Sequence, residues 1–104
     1  MKIQLNTDKN ILGSEKFETY VNEKINRSLK RFANKITRIE VHLSDQNAHK
    51  SGSDDIQCRI EARIEGLSPL IVTDKNSTKE KAIDAAIDKM KASLDTVIGK
   101  LKSK

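Results

Sequence analysis

Residues 14–32, SEKFETYVNEKINRSLKRF, decide how the rest of the chain is read. Apolar side chains fall at Phe17, Tyr20, Val21, Ile25, Leu29 and Phe32, the three-and-four spacing of one helical face. At ~100° per residue, Lys24, Arg27 and Arg31 project along one border of that stripe, with Lys30 nearer the opposite face. The spacing predicts a helix with a core face and a basic rim. Gly13-Ser14 marks its start, with Ser14 as N-cap and Glu15 and Glu18 placed against the positive end of the helix dipole. The same dipole favours cations at the far end, and long cationic side chains often cover the margin of an apolar stripe with their stems. Neither reason for the rim requires a ligand.

On both sides of this helix the period changes to two. Lys2 to Thr7 alternates around Ile3 and Leu5, and Asp8-Lys9-Asn10 follows as a turn. After the helix, Arg38 to Ser44 sets Ile39, Val41 and Leu43 on one face and Glu40, His42 and Ser44 on the other. The polar stretch Asp45 to Asp54, with Gly52, is expected to be a mobile connection. Its oxygen ligands break off at His49 and no glutamate closes the loop, so calcium binding is not expected. The strongest strand follows: Ile56, Cys58, Ile60, Ala62 and Ile64 alternate with Gln57, Arg59, Glu61, Arg63 and Glu65. Gly66-Leu67-Ser68-Pro69 supplies a turn into a fourth strand at Leu70, Ile71 and Val72. Ser77-Thr78-Lys79-Glu80 has the form of a capping box, and Ile83, Ile87, Met90, Leu94, Val97, Ile98 and Leu101 then form a second helical stripe. On that helix Asp84, Asp88, Lys91, Asp95 and Lys102 share one side, and Lys89 and Lys100 the other.

The order β-α-β-β-β-α, with each strand alternating, needs cover on one sheet face only, and two amphipathic helices supply it. The expected fold is a two-layer α+β sandwich, a four-stranded sheet with both helices on one face and its last three strands in an antiparallel meander. At 104 residues the chain forms one domain, 1–104. No apolar run approaches the ~20 residues that span a bilayer, and the opening residues lack the apolar block of a signal peptide. No membrane partner is expected, and the protein is placed in the cytoplasm.

The net charge of +5 is unevenly spread. Residues 14–38 carry +4 and 74–104 carry +3, whereas 39–73 carry −3. Positive charge thus belongs to the helical regions, as suits a polyanion whose phosphates are neutralised without reading sequence. A basic, well-solvated surface accounts for the same distribution. Cys58, the single cysteine, stands in the apolar series of a strand, where packing rather than chemistry is its expected duty. His42 and His49 have no metal-ligand spacing, and neither a metal nor another cofactor is expected. Asp84 and Asp88 share a helix face, but no phosphate loop or paired nucleophile accompanies them. Solvated helix carboxylates are the better account, with no enzyme activity and no small-molecule substrate. Arg59, Glu61, Arg63, Glu65, Glu40 and His42 form a mixed-charge sheet face that would suit a protein-binding adaptor, or pair among themselves. The three aromatics all lie in the helix stripe, which disfavours base stacking on single strands.

Several segments taken together resemble the ribosome hibernation-promoting factor family, also described as ribosome-associated inhibitor or subunit-interface proteins, in its short form. They are the opening strand, Leu29-Lys30-Arg31-Phe32, Arg38-Ile39-Glu40-Val41-His42-Leu43, Cys58 to Gly66, Ala82-Ile83-Asp84 and Ile87-Asp88-Lys89-Met90. The resemblance implies a domain similar to double-stranded RNA-binding domains that occupies the mRNA and tRNA channel of the small ribosomal subunit. Basic helix surfaces there contact ribosomal RNA and block translation while the ribosome is stored. Carried over by position, the RNA-binding candidates are Lys24, Arg27 and Arg31 on the first helix and Lys89 and Lys91 on the second. Family members often continue the second helix with an arginine-glutamine pair and a dense lysine series, where this chain reads Ala92-Ser93-Leu94-Asp95-Thr96-Val97-Ile98-Gly99. An aromatic residue common before the Ala-Ile-Asp segment is here Glu80. No C-terminal extension of the kind that pairs ribosomes is expected.

Overall fold

The computed structural model describes residues 1–8, 11, 14–45 and 56–102. The turn read at Lys9-Asn10, the connection read after Asp45 and His49 fall outside them. Strand β1 (Lys2–Thr7), helix α1 (Glu15–Ser28), a single 3₁₀ turn (Lys30–Phe32), strands β2 (Ile36–Asp45), β3 (Ile56–Ile64) and β4 (Leu70–Asn76), and helix α2 (Lys79–Lys102) follow in order. The sheet order is β1-β2-β3-β4, with β1 parallel to β2 and the other pairs antiparallel. A parallel neighbour requires a crossover, which α1 supplies.

Register fixes which face is covered. Ile3 and Leu5 lie beside Ile39 and Val41, which lie beside Ala62 and Ile60, and these face Leu70 and Val72 of β4. With Leu43 and Cys58 they form one apolar floor, buried under Phe17, Val21 and Ile25 of α1, Leu29 at its C-cap, and Ile83, Ile87, Met90, Leu94 and Ile98 of α2. A fully buried side chain of this size contributes ~1.5–3 kcal/mol, so this single layer is the main source of stability. Ala82 and Ala86, both buried, keep the start of α2 low over β3 and β4.

Four boundaries differ from the sequence reading, each for a local reason. First, β2 begins at Ile36, two residues before the alternation starts. Between the pairs Ile36–Ile64 and Arg38–Arg63 it carries one residue more than β3, a bulge that returns Ile36 to the core face despite its wrong parity. Second, α1 does not run on to Phe32. Leu29 ends it with φ −108° and ψ 15°, and Phe32 and Ala33 donate to the carbonyls of Leu29 and Lys30, three residues back. In a 3₁₀ turn residues three apart eclipse, so Leu29 and Phe32 both stay buried.

Third, the N-cap of α2 is Thr78 rather than Ser77. The Lys81 N–H donates to Thr78 Oγ1 at 3.1 Å, while the Ser77 N–H is taken by Asn76 Oδ1 at 3.2 Å. The shift leaves Glu80 at the second helical position, too early for a reciprocal capping box. Finally, β4 extends to Asn76 and so carries Asp74 on its inward face opposite Cys58. Ser14 caps α1 as its sequence suggests, accepting from the Phe17 N–H at 3.1 Å, and Gly66, at φ +79°, turns the chain between β3 and β4 where other residues would be strained.

Candidate nucleic-acid interface

The facing margins of α1 and α2 carry all but one, Lys89, of the cations singled out by the sequence, and they do not behave alike. Near the middle of α1 the Tyr20 hydroxyl donates to Asp84 Oδ1 at 2.7 Å, and Lys24 Nζ meets the same oxygen at 2.8 Å. Partial burial alone would raise the Asp84 pKa, but the hydrogen bonds from Lys24 and Tyr20 and the ammonium charge outweigh it and hold the carboxyl below its ordinary range. The bond to Asp84, with burial and the carboxylate charge behind it, pushes the Tyr20 phenol up to about 12. Lys24 is therefore already engaged by a carboxylate of its own chain.

One helical turn further on, the margin opens. Arg27, Ser28, Lys30, Arg31, Asn34 and Lys91 line a depression of about 490 Å³ between the end of α1 and the middle of α2. Arg27, Lys30 and Lys91 are exposed and form no ion pair among the described residues. Arg31 pairs with Asp95 of α2, and its guanidinium lies 4.8 Å over the Phe32 ring. Lys30, projected toward the opposite face on a continuous helix, lines the same depression as Arg27, its neighbour three residues back, where the chain tightens into the 3₁₀ turn. It is the cation that sequence reasoning placed elsewhere. Its three-residue spacing from Arg27 was the available signal.

Lys89 lies on the other side of α2, roughly 200° around the helix from Lys91. Its ammonium meets Asp74 Oδ1 at 3.0 Å and donates to the Thr73 carbonyl at 2.8 Å. It thereby neutralises the one carboxylate on the inward face of edge strand β4 and lays a charged side chain along that edge, a common guard against further strand pairing. Of the five candidates, then, the structure brings Arg27, Arg31 and Lys91 together, joins them with Lys30, and sets Lys24 and Lys89 in pairs apart from them.

The remaining chemistry is quiet. Cys58 is fully buried, and desolvation, with a smaller push from the Asp74 charge, raises its thiol to about 12, so it stays protonated. His42 pairs in register with Asn6 and Arg59 on the outward sheet face, so the sheet separates it from Asp84 and Asp88. Also on that face, Arg38 pairs with Gln4 and Arg63 with Glu40 across neighbouring strands, and with Glu40 and Glu61, respectively, two residues away along their own strands. Phe17 and Phe32 are buried and Tyr20 is held by Asp84, which leaves no aromatic platform for bases. No helix of the described residues is long and apolar enough to cross a membrane.

A family model described as sigma 54 modulation protein / S30EA ribosomal protein matches residues 6–102. Among solved structures, the N-terminal domain of Thermus thermophilus Protein Y is 21% identical with a TM-score of 0.73, covering 92% of this chain and 98% of that one. A ribosomal subunit interface protein from Coxiella burnetii is 16% identical with a TM-score of 0.75, each chain covered in full (100%). At these identities the likeness to the two structures is one of fold. No curated protein matches the chain.

Proposed function

The chain belongs to the sigma 54 modulation protein / S30EA ribosomal protein family, that of the ribosome hibernation-promoting factors, and from that membership we propose that it binds the small ribosomal subunit and blocks translation. In this reading the depression between α1 and α2 sits on ribosomal RNA of the mRNA and tRNA channel. The observation that carries it is the convergence of Arg27, Lys30 and Lys91, three cations unpaired among the described residues, with Arg31 around one concave surface. Cations that are not neutralised by their own chain are the ones able to replace the counterions of a phosphate backbone. Side chains of this kind recognise the shape and phosphates of folded RNA and need no base stacking. Binding to ribosomes places the protein in the cytoplasm.

The second helix contributes little beyond Lys91, because Asp95 stands where relatives carry cations, so binding is expected to be strongly salt-dependent and modest in strength. Sedimentation with separated ribosomal subunits tests the reading. The protein is expected to travel with the small subunit at low salt and to inhibit translation in a cell-free system. Retention by the large subunit alone, or by neither, would overturn it.

A further inference from the structure

Two ion pairs tie α1 and the 3₁₀ turn after it to α2, and they differ in grip. The carboxylates are equally open, Asp84 at 41% and Asp95 at 40%, but Lys24 is 24% exposed and Arg31 66%. Asp84 also holds the Tyr20 hydroxyl, whereas Asp95 meets Arg31 alone among the described residues. Arg31 has a second support, the Phe32 ring, that does not depend on Asp95. Asp95 is thus a carboxylate bound through one shielded oxygen to an otherwise exposed cation that lines the depression, and a pair so open at its sides is weak.

Resting on the reading of that depression as a phosphate site, we infer that Asp95 holds, in the free protein, the place on Arg31 that an RNA phosphate takes on binding. Asp95 is then an internal competitor that sets how tightly the site binds. The exchange breaks no covalent bond: Arg31 keeps its charge, its N–H groups change acceptor, and Asp95 turns to water or to Lys91, one helical turn away. A phosphate entering the depression meets Arg27, Lys30, Arg31 and Lys91, where Asp95 meets one cation, so the exchange runs toward the RNA. The pair Lys24–Asp84, tied to Tyr20, does not open in this way.

Ribosome co-sedimentation at several salt concentrations tests this with the parent, Asp95→Asn, Asp88→Asn and both changes combined with Arg31→Gln. Asp88 is exposed on the same helix and makes no ion pair among the described residues, so its variant reports the effect of one lost negative charge. Asp95→Asn is expected to bind about two- to fivefold more tightly than Asp88→Asn, the factor that an exposed ion pair carries. The excess should disappear when Arg31→Gln is added. Equal binding by the two carboxamide variants, or an excess that survives Arg31→Gln, would overturn the competition while leaving the site in place. If the parent itself fails to sediment with ribosomes, the reading of the depression falls and the competition with it. Asp95→Ala, a better helix former, repeats the test should Asn weaken α2.

Discussion

Tyr20, Lys24 and Asp84 form a closed cluster between the helices, while one turn further along Arg27, Lys30, Arg31 and Lys91 surround an open depression with Asp95 at its edge. Both places hold a cation of the first helical region, Lys24 in α1 and Arg31 in the 3₁₀ turn after it, against an α2 aspartate. They differ in how far the cation is committed. Lys24 shares its carboxylate with a phenol and is mostly sheltered, so its charge is spent on holding α1 to α2. The cations of the open end are solvated, and a polyanion can recruit them. A charged rim is therefore not a binding surface by count of charges. In the proposed reading, the members that meet RNA are the exposed ones of the open end, unpaired like Arg27, Lys30 and Lys91 or openly paired like Arg31.

The largest expected effect removes the floor beneath both places. Leu94 of α2 is fully buried, and Leu94→Ala should cost roughly 2–5 kcal/mol by transfer and cavity terms. Thermal or urea unfolding reads the loss, and a melting curve equal to the parent's would mean that α2 is not held by its apolar stripe.

A smaller effect isolates the closed cluster. Tyr20→Phe should cost about 1 kcal/mol, less than a sheltered hydrogen bond to a charged group contributes, because Asp84 is partly in water. Its pH dependence has a definite sign. The Asp84 pKa is lowered in the fold, so its contribution is present above the unfolded carboxylate pKa and lost as pH falls through the folded value. The Tyr20 pKa is raised from 10.0 to about 12, so its contribution is full below pH 10 and lost as pH rises toward 12. The stability gap between parent and Tyr20→Phe should accordingly close at both extremes and be widest near neutrality. A gap that is flat with pH would show that the phenol and carboxylate do not share a proton bond.

The smallest changes separate the two ends directly. Lys24→Gln should lower stability by about 0.5 kcal/mol and leave ribosome binding unchanged, whereas Arg31→Gln should leave the melting curve within about 0.5 kcal/mol and weaken binding. The reverse pattern would exchange the roles assigned to the two ends.

The elements were legible in the sequence because each rests on short-range periodicity. The alternation around Ile39 and Ile60 and the helical stripes under Val21 and Ile87 fix both the elements and the single covered face, and Ser14 announces its cap. What was not legible depends on a neighbour. Ile36 joins β2 only through a bulge that β3 defines. The α2 cap moves to Thr78 because β4 runs on to Asn76, and Asp74 turns inward with it. In the candidate site, Lys24, Arg27 and Arg31 were readable as a rim and Lys91 came with the family resemblance, yet which of these cations are free depends on how α1 and α2 pass each other. No spacing within one helix states that Lys24 meets Asp84 or that Lys89 reaches Asp74.

Co-sedimentation with ribosomes across a salt series tests the central claim most directly, with Arg27→Gln/Lys30→Gln/Lys91→Gln set beside Lys24→Gln/Lys89→Gln. Gln keeps helix propensity and much of each stem, so both variants should retain the parent's fold, with the second slightly less stable for its lost ion pairs. The triple variant is predicted to lose affinity and to lower the slope of log K against log salt by about three, one for each phosphate contact, while the double variant follows the parent. Parent-like binding by the triple variant, or a comparable loss in the double variant, would contradict the claim that the open end of the helix pair is the RNA-binding surface.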